Sequence, residues 1–470
     1  MIVIGGGLAG LSSAVALAEA GFRVRLLEKR PHLGGRAASY VLPGGEHVDN
    51  CQHVTLGCCT NLADFYRRAG VADQIRFFDE LIFAAPDGRR GTIASGALPP
   101  PLHMARSFAF FPLLGLADKR AIALALLFIA RSGGRPADLA SGIAGENISM
   151  LAWLRLHGQT DRAIRRFWEV ILVSALDEEL DRIDARYGID VFWKAFLSSR
   201  GGYRLGIPRV PLGDLYDGCR KALSGQGGEI LLRAGVRGFR VANGRVDGVE
   251  REDGSLETAD FYVAAVPQDA LPDLLPGEIM EREPVFSNLR YLRVSPITGV
   301  HLWFDRKVMS EPFLTLLDST TQWIFNKSEL SGAGAGDAGQ YLQLVISASY
   351  ALASRSRQEI IALCLAELRG VLPATCEATL VKGTVVKEMS ATFSPASGSD
   401  RWRPVQRSPL AGLFLAGDWT STGWPSTMEG AVRSGYLAAE AILSDAGMPR
   451  KFLQADLRAE GLARLWARDS

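Results

Sequence analysis

The stretch MIVIGGGLAGLSSAVALAEAGFRVRLLEK, Met1 to Lys29, decides the fold. Ile2 to Ile4 is a short apolar run with β-branched residues, the pattern of a buried parallel strand. Gly5, Gly7 and Gly10 follow it as G-x-G-x-x-G. Leu8 to Glu19 is rich in helix formers, Gly21 suits a helix end, and Phe22 to Leu27 reads as a second strand closing on Glu28. Gly5 permits a tight turn, Gly7 lets a diphosphate approach the backbone, and Gly10 lets the helix pack on the strand. The diphosphate then meets unsatisfied N–H groups at the positive end of the helix. Gly5, Gly7, Ala9 and Gly10 are therefore the first candidate cofactor contacts. Glu28, 18 residues beyond Gly10, is placed to accept hydrogen bonds from an adenosine ribose, with Lys29 beside it. An acid there repels a 2′-phosphate, which argues against NADP.

The rest of the chain sets limits. Its 470 residues suffice for two or three lobes with their own cores. A net charge of +1 and a charged content of 22% lack the concentrated basic excess of a nucleic-acid binder. Six cysteines without a CxxC pair, and six scattered histidines, read as reduced thiols in a cytoplasmic protein with no metal site. A first strand at Ile2 leaves no room for a signal peptide. Ser107 to Ala130, SFAFFPLLGLADKRAIALALLFIA, is the most membrane-like segment, but Asp118, Lys119 and Arg120 split it into runs too short to span a bilayer. Two readings stay open for it: a buried helical hairpin, or an element that touches a membrane surface or admits lipid.

The segment after the second strand, EKRPHLGGRAAS, brings Gly34, Gly35 and Arg36 just beyond Glu28. Near the other end, LFLAGDWTSTGWPSTMEGAVRSG, Leu413 to Gly435, runs from an apolar strand through Gly417 and Asp418 into a helix of small residues. Ser426 and Glu429 have the spacing of a capping box at that helix start. Gly430, Ala431, Ser434 and Gly435 recur at three- and four-residue spacing and make one flat face. Both segments resemble FAD proteins of the amine oxidase and phytoene desaturase superfamily. The resemblance implies noncovalent FAD, with Gly35 and Arg36 closing over the diphosphate and Gly417 and Asp418 near the ribityl or diphosphate part. It also implies that Thr427, Met428 and Glu429 point the helix start at the flavin, and that Val236 brackets the adenine. No cysteine near the last motif offers a covalent link.

The expected fold is α/β: a discontinuous Rossmann-like FAD-binding domain (1–70, 205–290 and 400–447) with an α+β substrate domain (71–204 and 291–399). PITGVHLWF, QYLQLVISAS and TLVKGTVVKE alternate as strands of an antiparallel sheet in the latter, and its first insert reads as helical and apolar. Trp153, Phe167, Trp168, Phe192, Trp193 and Phe196 in that insert fit either a core or the wall of a greasy tunnel. Residues 448–470 form a tail that reads as a basic amphipathic helix.

Asp49, Gln52 and His53 lie in VDNCQHVTLGCCTNL, which the superfamily places beside the flavin ring; His53 is the candidate proton donor. DNCQHVTLGCCTNLADFYRRAGV, WIFNKS and the final motif resemble the squalene-associated branch, the hydroxysqualene dehydroxylases of squalene and hopanoid biosynthesis. That branch implies an FAD-dependent oxidoreductase removing hydroxyl reductively from a lipophilic isoprenoid. Alternatives are a carotenoid (phytoene-type) desaturase, a flavin amine oxidase, or a flavoprotein that binds isoprenoids without turnover. Peripheral membrane contact and the oligomeric state stay open.

Overall fold

In the computed structural model, which describes residues 1–42, 45–133, 147–331 and 339–467, the strand Ile2–Ile4 is the middle of five parallel strands. Their order is Glu229–Leu232, Arg25–Glu28, Ile2–Ile4, Tyr262–Ala264 and Leu413–Leu415. Alternate residues point to opposite faces, and both faces are apolar because both are covered. Val3, Leu26, Val263 and Phe414 pack under the helices Leu8–Glu19 and Met428–Asp445. Ile2, Ile4, Leu27, Tyr262 and Ala264 pack against Phe239, Val246 and Val249 of a three-stranded sheet. Asn243 and Gly244 (φ 52° and 72°) turn that sheet's first hairpin, because a two-residue turn matching strand twist needs positive φ at both positions.

A second sheet has seven strands in the order Leu380–Phe393, Val294–Phe304, Gln340–Ile346, Trp323–Asn326, Phe313–Leu316, Glu80–Ala84 and Arg90–Ala94. The three strands expected to pair antiparallel do so, and beyond them the sheet continues through one parallel pair, Phe313–Leu316 with Glu80–Ala84. The first insert is likewise not purely helical. ELIFAAPDGRRGTIA forms a hairpin that extends the sheet, with Leu81 and Phe83 turned toward the helical core and Ala84 toward the other face.

The described helices of that insert, including Leu116–Arg131, Val170–Leu176 and Ala185–Val191, enclose an aromatic core. Trp168 meets Phe192 edge-on at 4.5 Å between ring centroids. Of the six aromatics flagged in the sequence, five are buried there, and Phe196 faces a cavity. Residues 134–146 of the insert lie outside the described residues.

The tail corrects another expectation. It runs without regular structure to a single turn, Gly461–Leu465, because tertiary partners take its backbone groups. Glu440 accepts from the amides of Phe452 and Leu453, Asn61 accepts from Gln454, and Pro100 accepts from Ala463. Residues 468–470 lie outside the described residues.

Candidate functional site

The first turn and the Gly34–Gly35 turn lie against each other, with Gly34 N–H donating to Gly6 O at 2.9 Å. A Cβ on Gly5 (φ 105°) would sit 2.3 Å from Ala265 O, and one on Gly10 would sit 1.9 Å from Gly5 O. Neither position tolerates a side chain. Gly10 thus acts by close packing and does not itself face the cavity above it. No side chain caps the helix Leu8–Glu19, so its first amides stay available to a ligand.

That cavity is an elongated cradle of about 400 Å³. Gly5, Gly7, Ala9, Glu28, Lys29, Gly35, Arg36, Val236, Gly417, Asp418, Thr427 and Met428 all line it. Ala234 N–H donates to Glu28 O, which brings Val236 beside Glu28. The Glu28 carboxylate accepts from Gly6 N–H at 2.6 Å and from Arg30 N–H at 2.7 Å. A carboxylate has about four acceptor positions, so lone pairs remain for a ribose.

Arg36 pairs with Asp418, and its Nη1 donates to Ala391 O at 3.1 Å. Asp418 also accepts from Ser426 Oγ. The capping box read at Ser426 and Glu429 is corrected here. The helix cap is Thr427, whose hydroxyl accepts from Gly430 N–H at 3.0 Å. Ser426 is spent on Asp418 and on Phe393 N–H. Glu429 does not line the cradle. Its buried carboxylate reaches the start of the helix Thr60–Arg68, accepting from Leu62 N–H at 2.7 Å and Asn61 Nδ2 at 2.8 Å. An acid there complements the positive end of a neighbouring helix, which fastens the last helix to the second.

The cradle opens at one end into an apolar cavity of about 210 Å³. Gln52, Val54, Ser174, Val345, Ser347 and Met428 line both. Leu81, Phe83, Ile171, Phe196, Trp323 and Trp424 line the apolar part. The joint between the two cavities is where a ring held in the cradle would meet an apolar substrate.

His53 faces the cradle, but its ring is set up differently from the proton donor expected of it. Its Nδ1 lies 3.0 Å from Cys51 O, and a carbonyl only accepts, so Nδ1 carries the proton. Burial lowers its pKa, opposed by the Cys51 carbonyl and Asp49. Neutral His53 therefore presents a lone pair at Nε2. It is an acceptor.

Asp49 is buried and does not line the cradle. It pairs with buried Lys327 (3.1 Å) and accepts from Ser39 Oγ (2.7 Å) and Leu212 N–H (3.0 Å). Burial pushes its carboxyl up, but Lys327 and these donors outweigh it and hold the pKa below the usual range. Lys327 also donates to Gln52 Oε1 at 2.9 Å, fixing the amide that borders both cavities.

Three residues escaped the sequence reading. Buried Arg403 holds the turn after Asp418, donating to the carbonyls of Asp418, Thr420 and Trp424. Asn61 links Glu429 to the tail. Asp177, at the end of Val170–Leu176, lines the cradle and accepts from Ala348 N–H (2.8 Å) and Thr392 Oγ1 (2.9 Å). Burial pushes its carboxyl well above the usual range, against these donors. The local sequence of none of the three carries a signal, since every partner is distant or in another segment. Among the described residues no group of three His, Cys, Asp or Glu side chains is placed to hold a metal.

The model of the family "Flavin containing amine oxidoreductase" matches residues 8–443. Tomato (Solanum lycopersicum) 15-cis-phytoene desaturase is 29% identical, over 95% of this chain and 78% of its own length. Zeta-carotene desaturase of Synechocystis is 28% identical, over 94% and 97%. Among solved structures, an oxidoreductase from Methanosarcina mazei superposes with a TM-score of 0.73 at 19% identity, covering 94% of this chain and 99% of its own. Cyclohexylamine oxidase from Brevibacterium oxydans gives 0.66 at 18%, covering 95% and 99%. At such identities the structural likeness speaks for the fold alone.

Proposed function

The chain belongs to the flavin-containing amine oxidoreductase family, and from that premise we propose that it transfers hydride between FAD and a long apolar isoprenoid. FAD is its cofactor, and the cradle suits an elongated dinucleotide with a ring at the apolar joint. Arg36 and the open amides of the first helix would hold the diphosphate, Glu28 and Val236 the adenosine, and Thr427 and Met428 the ring edge. Bound FAD supplies two-electron acceptance or donation.

The reading rests on one observation above all: the cavity that meets the ring end of the cradle is apolar over most of its wall. Such a wall excludes water and favours hydrocarbon. The carotenoid desaturases among the relatives support desaturation of a polyene as the first reading. In that direction a carbon gives up hydride, its neighbour gives up a proton, and a C=C bond forms. The Nε2 lone pair of His53 is a proton acceptor facing the cradle.

Reductive dehydroxylation of hydroxysqualene is the second reading, favoured by Asp177. Asp177 lines the cradle and burial raises its carboxyl pKa, which suits a group that hands a proton to a leaving hydroxyl. There the C–O bond breaks, hydride takes its place, and water leaves. Two anaerobic incubations of the purified yellow protein distinguish them. Bleaching of oxidised flavin by phytoene supports desaturation; squalene from hydroxysqualene and reduced flavin supports dehydroxylation. A folded protein that takes up no FAD overturns both.

A further inference from the structure

A surface helix ordinarily turns polar residues outward. The helix Leu116–Arg131 is apolar on its outward face as well as its inward one. Leu116, Leu124, Leu127 and Phe128 are exposed, Leu116 at 87% and Leu124 at 58%. With Arg120 and Arg131 they recur at three- and four-residue spacing, so they form one outward stripe. Phe110 is 77% exposed beside the start of the helix, where Lys119 Nζ reaches Ala109 O at 2.7 Å. The core's need is already met by the opposite face, through Ile122, Ala125, Ile129 and Ala130.

Charge on this helix is one-sided. Lys119, Arg120 and Arg131 are its bases. Its one acid, Asp118, is turned inward, accepting from Gly115 N–H at 2.9 Å and from Thr160 Oγ1 at 2.5 Å. The outward stripe therefore offers hydrocarbon and positive charge together, the combination that lies in a lipid interface.

We propose that the stripe of Leu116–Arg131 seats on an anionic bilayer surface, its leucines and Phe128 in the acyl boundary and Arg120 and Arg131 at lipid phosphates. A second copy of the chain fits less well. Like stripes facing each other bring arginines near arginines, whereas arginines on a bilayer reach up to headgroups while their stems stay in hydrocarbon. The inner face of the helix packs against Phe192–Leu197, whose Ala195 and Phe196 line the apolar cavity. Docking thus sets that cavity one helix layer from the bilayer. The purpose of this placement rests on the isoprenoid reading; the docking itself does not.

The test is co-sedimentation of the FAD-loaded protein with phosphatidylglycerol-containing vesicles and with pure phosphatidylcholine vesicles. The wild type should pellet with the anionic vesicles and be released by high salt. Leu116→Ser/Leu124→Ser, which changes the two most exposed leucines of the stripe, should lower the bound fraction about tenfold or more, with flavin spectrum and unfolding temperature unchanged. Arg120→Glu/Arg131→Glu, which alters only exposed charge, should abolish the preference for anionic lipid. Wild-type protein left in the supernatant with every vesicle overturns the proposal, as does undiminished binding by both variants. So does a dimer in light scattering that the serine variant converts to monomer. Wild-type protein that binds vesicles yet turns over no detergent-dispersed isoprenoid would sink the functional reading and leave the docking standing.

Discussion

Lys327 and Asp49 are 278 residues apart in sequence and nearly without solvent exposure, so each is the other's reason to be charged. Removing one partner of such a pair strands a buried charge. Lys327→Met should lower the unfolding free energy by about 3 kcal/mol in urea titration, and adding Asp49→Asn should recover most of it. Arg36 and Asp418 pose the same problem inside the cradle. Arg36→Met would leave the Asp418 carboxylate facing a diphosphate without its counter-charge. Flavin-fluorescence titration of the apoprotein should then give an FAD affinity weaker by about 10- to 100-fold.

At the scale of elements, the cradle depends on how closely two helices approach. A Cβ on Gly435 of Met428–Asp445 would lie 2.1 Å from Ser12 Oγ and 2.4 Å from Ala9 O of Leu8–Glu19. Gly435→Val should force the helices apart and spoil both walls of the cradle at once. The expected product is soluble protein purified without yellow colour, read from the visible absorbance at equal protein concentration. The flat face of Gly430, Ala431, Ser434 and Gly435 was legible because small residues at helical spacing announce a close approach. What the face met was not: Ser434 Oγ accepts from Gly417 N–H at 2.8 Å, and Ser12 donates to Val432 O at 3.3 Å. The cap of that helix was misjudged for a related reason. Ser426 and Thr427 are both competent caps, and the choice fell to Asp418, which claimed Ser426 from eight residues away.

Across the whole molecule, burial of polar groups ties stability to pH. Burial holds His301 and His103 neutral, both lowered to about 4. Unfolding exposes them to ordinary values near 6.5, so the unfolded chain binds protons that the folded chain refuses. Stability is then fully present above about pH 6.5 and is lost as the pH falls toward 4, by a few kcal/mol at most. The unfolding temperature should drop steadily between pH 6.5 and 4.5. His301→Gln should flatten that slope even if it lowers the starting value.

By itself the sequence determined the features that short-range sterics and periodicity control: the glycine turn, the flanking strands, the Asn243–Gly244 hairpin and the small face of the last helix. Each needs only neighbours along the chain. Only the tertiary structure decided that Glu429 would fasten a helix start, that His53 would show a lone pair to the cradle, and that the tail would stay unwound. The same holds for Leu116, Leu124 and Leu127, which turned outward. These outcomes depend on which distant donor, acceptor or hydrophobic surface arrives first at each group, and a buried polar atom takes whichever partner the assembled fold sets within reach.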